Sequence, residues 1–84
     1  MEVPIMTKVE PMDDMSLIVY FDGGVVKKYD IKQLFTEIAI FKKLKDKELF
    51  ERVKVDIGGF GLVWNEDIDL SRDEIWYNGE DYIE

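Results

Sequence analysis

The sequence predicts an α+β fold. We expect one small domain in which an antiparallel sheet of about five strands, in the order β-β-β-α-α-β-β-α, packs its helices on one face. Three observations predict this. Short apolar stretches that alternate or run continuously, punctuated by turn residues, occupy 3–29 and return over 53–64. Between them, from Ile31, the apolar spacing changes from two to about 3.6 residues. The connections within each strand-rich stretch are hairpin-length, which favours antiparallel pairing with helices segregated to one side. The chain has 84 residues, 46% of them apolar and 13% aromatic. That is enough for one core and excludes wholesale disorder. The domain is placed at 1–77, followed by a short acidic C-terminal tail at 78–84.

The elements follow in order. Val3, Ile5 and Val9 alternate with Pro4, Met6 and Lys8, a strand pattern. Pro4 and Pro11 put that strand at a sheet edge, where a missing N–H donor is tolerated. After the turn at 11–14, Ser16-Leu17-Ile18-Val19-Tyr20-Phe21 is apolar on both faces, which fits a central strand. Asp22-Gly23-Gly24 supplies the positive φ of a tight reversal, and 25–29 returns. Ile31, Leu34, Phe35, Ile38 and Phe41 form one helical stripe. Asp30 is its N-cap, with Gln33 three residues on in a capping box. Asp46 caps a second short helix over 47–52 that buries Leu49 and Phe50. Val53, Val55 and Ile57 mark a one-sided strand, Gly58-Gly59-Phe60-Gly61 a hairpin turn, and Leu62-Val63-Trp64 the return. Residues 65–69 read as loop. Ser71 with Glu74 forms a second capping box that opens a helical turn over 71–77, docking Leu70 and Ile75. Residues 78–84 read as a frayed tail.

Composition excludes several chemistries. There is no cysteine and no histidine. Disulfide scaffolds, thiolate or imidazole zinc sites, and Ser-His-Asp or Cys-His nucleophiles are therefore absent. The glycines at 58, 59 and 61 lack the Lys-Ser/Thr of a phosphate loop, and no helix opens after them. The alternating oxygens of Asp67, Asp69, Ser71 and Asp73 resemble a calcium loop superficially. However, Arg72 stands where such a loop needs Gly, and Asn78 where it needs a bidentate Glu. The acidic residues sit in no recognisable catalytic frame. The expectation is a protein that is not an enzyme, with no cofactor and no metal.

Charge is uneven along the chain. Residues 1–64 carry 10 basic and 11 acidic residues; residues 65–84 carry one basic residue, Arg72, and eight acidic ones, a net of −7. Such a field disfavours direct nucleic-acid binding and anionic membranes and attracts a basic protein partner. A local basic patch runs against this trend at Lys42, Lys43, Lys45, Lys47, Arg52 and Lys54. The start lacks a basic and apolar leader, and no apolar run is long enough to span a bilayer, so a cytoplasmic location is expected.

The ordered set of features resembles a family of short bacterial proteins known as domain of unknown function 2442. The match runs over about 3–77. It comprises Phe21-Asp22-Gly23, Asp30-Ile31, Phe41, Leu44, Asp46, Phe50, Val53, Val55, Trp64, Leu70, Asp73, Ile75 and Trp76. Two positions depart from the family pattern: Asn65, where members often have Pro, and Trp76, where they have Tyr. The resemblance implies a small α+β domain with no established activity and no defined functional residues. Some relatives carry an added helix-turn-helix domain, for which these 84 residues leave no room. Others are thought to be encoded beside small toxin-like proteins, which implies an antitoxin-like role.

The expected function is a non-catalytic interaction module, antitoxin-like, that binds a basic, toxin-like protein partner. The candidate partner-binding residues are Glu66, Asp67, Asp69, Asp73, Trp76, Tyr77 and Tyr82. The carboxylates would steer the partner, and the aromatics would anchor it. Two other readings stay open. One is a DNA-associated regulatory domain that acts through a partner or an oligomer by way of the Lys42–Lys54 patch. The other is a small-molecule or metal sensor. Exposed sheet edges also leave a homodimer open.

Overall fold

The computed structural model describes residues 2–83. It is an antiparallel α+β domain, as the sequence predicts, but with seven strands in two sheets rather than about five in one. The first sheet has the order β1-β2-β3-β7, built from β1 (Met6–Pro11), β2 (Ser16–Phe21), β3 (Val26–Asp30) and β7 (Glu80–Asp81). The second has the order β4-β5-β6, built from β4 (Lys54–Val55), β5 (Gly61–Val63) and β6 (Asp69–Ser71). Two short α-helices, α1 (Lys47–Phe50) and α2 (Arg72–Asn78), complete the chain.

One core cluster joins both sheets and the helical segments. Leu17, Val19, Phe21 and Tyr29 supply it from the first sheet, Leu62 and Leu70 from the second, and Trp64 from just beyond β5. Ile31, Leu34, Phe41, Leu44, Phe50 and Ile75 enter from the helical segments. The helices therefore pack on the same face of the four-stranded sheet. Burying this apolar surface is the main favourable term in folding. Polar groups at its edges are paired. The Trp64 indole N–H donates to the Phe50 carbonyl at 3.1 Å. The Tyr29 hydroxyl donates to Glu74 at 2.8 Å, tying β3 to α2. Burial, together with the Glu74 charge, pushes the Tyr29 phenol up from its ordinary value.

β1 is the edge strand that Pro4 and Pro11 suggest, but its phase differs from the alternation. A bulge lies between Met6 and Lys8, which pair with Phe21 and Tyr20. The bulge buries Met6 and leaves Ile5 exposed, so these two residues exchange their expected roles. β2 is central, as expected. Its Ile18 is buried outside the core cluster, on the opposite face, between Glu10 and Lys28 in the ladder.

The helical region is corrected more deeply. Residues Ile31–Leu34 and Ala39–Lys45 are two 3-10 turns, not the α-helix that the stripe from Ile31 to Phe41 predicts. The buried pairs, Ile31 with Leu34 and Phe41 with Leu44, lie three apart, which the period of a 3-10 helix accommodates. Thr36 and Ile38, both β-branched, lie between the two turns and disfavour a continuous helix. Ile38 is extended there and 46% exposed. Both caps form. Asp30 accepts from the Lys32 amide, and Asp46 from the Glu48 amide, each at 3.0 Å. Gln33 reaches the Asp30 carbonyl rather than its amide.

Three further corrections fall in the second half. Strand β4 ends at Val55, and Ile57 is 96% exposed in the following turn. Part of the expected loop over 65–69 is structured. Asn65 accepts from the Asp67 and Ile68 amides at 2.8 and 3.0 Å, Ile68 is buried, and Asp69 opens β6. Within the expected frayed tail, Glu80 and Asp81 pair with Lys28 and Lys27 of β3.

Candidate functional site

The acidic candidates are placed by local turn chemistry. The Asn65 turn, closed by a Trp64 amide bond to the Ile68 carbonyl, exposes Glu66 and Asp67 while burying Ile68. Asp69 faces solvent from β6, whose single buried residue is Leu70. Ser71 caps α2 by accepting from the Glu74 amide at 3.3 Å. Asp73, in the first turn of that helix, is exposed. Negative charge suits a helix start.

The aromatic candidates separate. Trp76 is half-buried, edge-on to Phe21 with ring centroids 5.0 Å apart. The Lys27 ammonium covers it at 5.0 Å and also reaches Asp81 at 2.8 Å. Tyr77, the next residue, is 67% exposed. Tyr82 lies beyond β7, and its amide donates to the Val26 carbonyl at 2.9 Å. The seven residues do not all line one groove. Asp73 and Tyr77 line a single groove, and the other five do not.

That groove was not legible as a site. Its remaining walls are Glu2, Val3, Pro4, Ile5, Asp22, Phe60 and Arg72. Phe60 is 59% exposed, and the Arg72 guanidinium lies 4.6 Å from its ring centroid. Arg72 Nε is also 3.9 Å from Asp73. Three backbone bonds join the segments that meet here. The Met6 amide donates to Gly59 at 2.8 Å, the Asp22 amide to Ile5 at 2.8 Å, and the Arg72 amide to Phe60 at 3.0 Å. Gly59 makes the close approach possible. Its φ is +77°, and a Cβ there would sit 2.5 Å from the Met6 carbonyl oxygen. The one signal in the sequence was Phe60, a large aromatic in a turn that otherwise favours small or polar residues.

A second groove, of about 420 Å³, opens at the β1–β2 turn, lined chiefly by Asp14, Ser16, Lys28, Asp30, Lys32 and Glu80. Its charges answer one another. Ser16 donates to Asp14 through both hydroxyl and amide, and Lys28 reaches Asp14 at 3.1 Å. Lys32 reaches Asp30 at 3.6 Å. The Ser16 hydroxyl, with Lys28 behind it, pulls the Asp14 carboxyl down from 3.8 to about 2. This cluster locks the turn in which Met15 adopts a φ of 63°.

The basic residues Lys42, Lys43, Lys45, Lys47, Arg52 and Lys54 are all exposed. Among the described residues, no helix is long and apolar enough to cross a membrane. Nor is there any group of three or more acidic side chains placed to hold a metal ion.

The architecture and its surfaces define a small antiparallel α+β domain with one groove whose charges pair with one another and one, beside α2, that exposes aromatic rings among three carboxylates. Residues 6–81 match the family described as protein of unknown function (DUF2442), and the chain belongs to that family. Neither the curated proteins nor the solved structures contain a significant match.

Proposed function

We propose that this is a non-catalytic interaction module that binds a basic protein partner in the cytoplasm through the acidic surface of its last twenty residues, as an antitoxin covers a toxin-like protein. One observation carries this reading. Glu66, Asp67, Asp69 and Asp73 are all exposed, and the first three have no ion-pair partner among the described residues. Arg72, the one cation of that segment, is already engaged by Phe60 and Asp73. Unpaired surface carboxylates steer an oppositely charged partner and set the salt dependence of its association.

The test is capture of partners from host lysate by the tagged protein, at low and high salt. One stoichiometric basic protein, released by salt and no longer captured by the Asp67→Lys/Asp69→Lys/Asp73→Lys variant, is the expected result. Equal capture by that variant would move the interface elsewhere. A second reading rests on the six exposed cations over 42–54, which would touch DNA within a larger assembly. A mobility shift that weakens steeply with salt would favour it.

A further inference from the structure

We infer that the groove lined by Ile5, Phe60 and Tyr77 docks an extended segment of the partner, carrying an apolar side chain flanked by lysine or arginine. The inference rests on the reading above that the partner is basic, and it names where and how that partner is gripped.

Three features point to this occupant. First, large apolar side chains are exposed together here. Phe60 and Tyr77 are mostly in solvent, and Ile5 is exposed beside them. Clustered apolar exposure on a small domain marks an interaction site, whereas scattered exposure does not. Second, the rim selects charge. Glu2, Asp22 and Asp73 present three carboxylates against the single guanidinium of Arg72, which is stacked on Phe60. Exposed apolar side chains set among carboxylates complement an apolar side chain with cationic neighbours. Third, the walls are fixed in advance. The backbone bonds from Met6 to Gly59, Asp22 to Ile5 and Arg72 to Phe60 hold all four lining segments together. Binding there orders little new backbone, which favours affinity.

The experiment selects phage-displayed random peptides on the immobilised full chain. Synthetic versions of the winners are then titrated by fluorescence polarisation against the wild type, Phe60→Ala, Tyr77→Ala, and the Asp67→Lys/Asp69→Lys double variant. The expected result has three parts: a consensus of an apolar residue flanked by Lys or Arg, binding weakened at least about tenfold by either alanine variant, and amide shifts on binding at Ile5, Asp22, Phe60 and Tyr77. Thermal melts check that the variants fold, and Asp22→Lys serves as a third probe of the rim. No enrichment, a consensus without cations, or affinity within about twofold in both alanine variants would overturn the inference. Cationic peptides that bind both alanine variants but not the double lysine variant would sink the groove and leave the acidic-surface reading standing. Concentration-dependent dimerisation abolished by Phe60→Ala would identify a second copy as the occupant and overturn the proposed partner segment.

Discussion

In the groove at the β1–β2 turn, Asp14 faces Lys28 and Asp30 faces Lys32, at 3.1 and 3.6 Å. In the groove beside α2, three carboxylates share one cation, and aromatic faces stay in solvent. The first arrangement is complete within the chain. Its charges hold a turn in place and have little left to offer a ligand. The second is answered only in part among the described residues: Arg72 meets Phe60 and Asp73, while Glu2 and Asp22 have no ion-pair partner and Tyr77 stays in solvent. In a domain this small, the difference separates polar clusters that serve the fold from those open to a partner. A count of charged residues would have ranked the two grooves the other way.

The contrast can be broken most severely at its backbone. Gly59→Ala would force a Cβ against the Met6 carbonyl at a positive φ and should cost about 2–4 kcal/mol. Gly23→Ala, with a similar φ of +90° but open space around it, should cost only about 1 kcal/mol. Urea unfolding of the two variants checks this, and equal losses would show that Gly59 answers to backbone conformation alone. Ser16→Ala removes the main hydrogen bond to Asp14 and should cost about 1 kcal/mol. It should also move the Asp14 midpoint back from about 2 toward 3.8. A carboxyl NMR titration reads that shift, and an unmoved midpoint would deny the turn lock.

Acid should weaken the same end of the molecule. The Asp14 carboxyl is held low by Ser16 and Lys28, and the Glu10 carboxyl by the Tyr20 hydroxyl at 2.6 Å. A depressed carboxylate stabilises the fold above its unfolded value, and that contribution is lost as pH falls through the folded value. For Asp14 the window runs from about 4 down to about 2. Chemical denaturation across that range should show a decline that Ser16→Ala makes shallower. The smallest effect belongs to the open groove. Phe60→Ala and Tyr77→Ala should each change stability by less than about 1 kcal/mol, because both rings are mostly exposed. A larger loss of melting temperature would place these rings in the fold rather than at an interface.

How much of this was legible depended on element length and on locality. β2, the glycine turn after it and the caps Asp30, Asp46 and Ser71 are local signals, and all were readable. β6 and β7 were not, because strands of three and two residues carry no period to detect. The bulge at Thr7 was hidden because one extra residue puts the two sides of an alternating strand out of phase, here reversing Ile5 and Met6 relative to Val9. The 3-10 turns were mistaken for α-helix because spacings of three satisfy both patterns. At the candidate site, Asp73 and Tyr77 stood out through charge and aromaticity. Ile5 did not, and Phe60 stood out only as a large aromatic in a turn, because their neighbourhood is created only when four distant segments are bonded together.

The groove beside α2 draws on residues 2–5 near one end of the chain and 72–77 near the other, with Asp22 and Phe60 between. No fragment of the sequence contains it, and an unfolded chain offers none of it. A segment seated there would therefore recognise the native state alone. At a hundred times its dissociation constant it would raise the free energy of unfolding by about 2.7 kcal/mol. The amides of Met6 and Arg72, which pin the walls, would then exchange with deuterium more slowly. Occupancy and lifetime of the folded chain would rise together, so loss of the partner would also shorten the protein's survival against proteolysis.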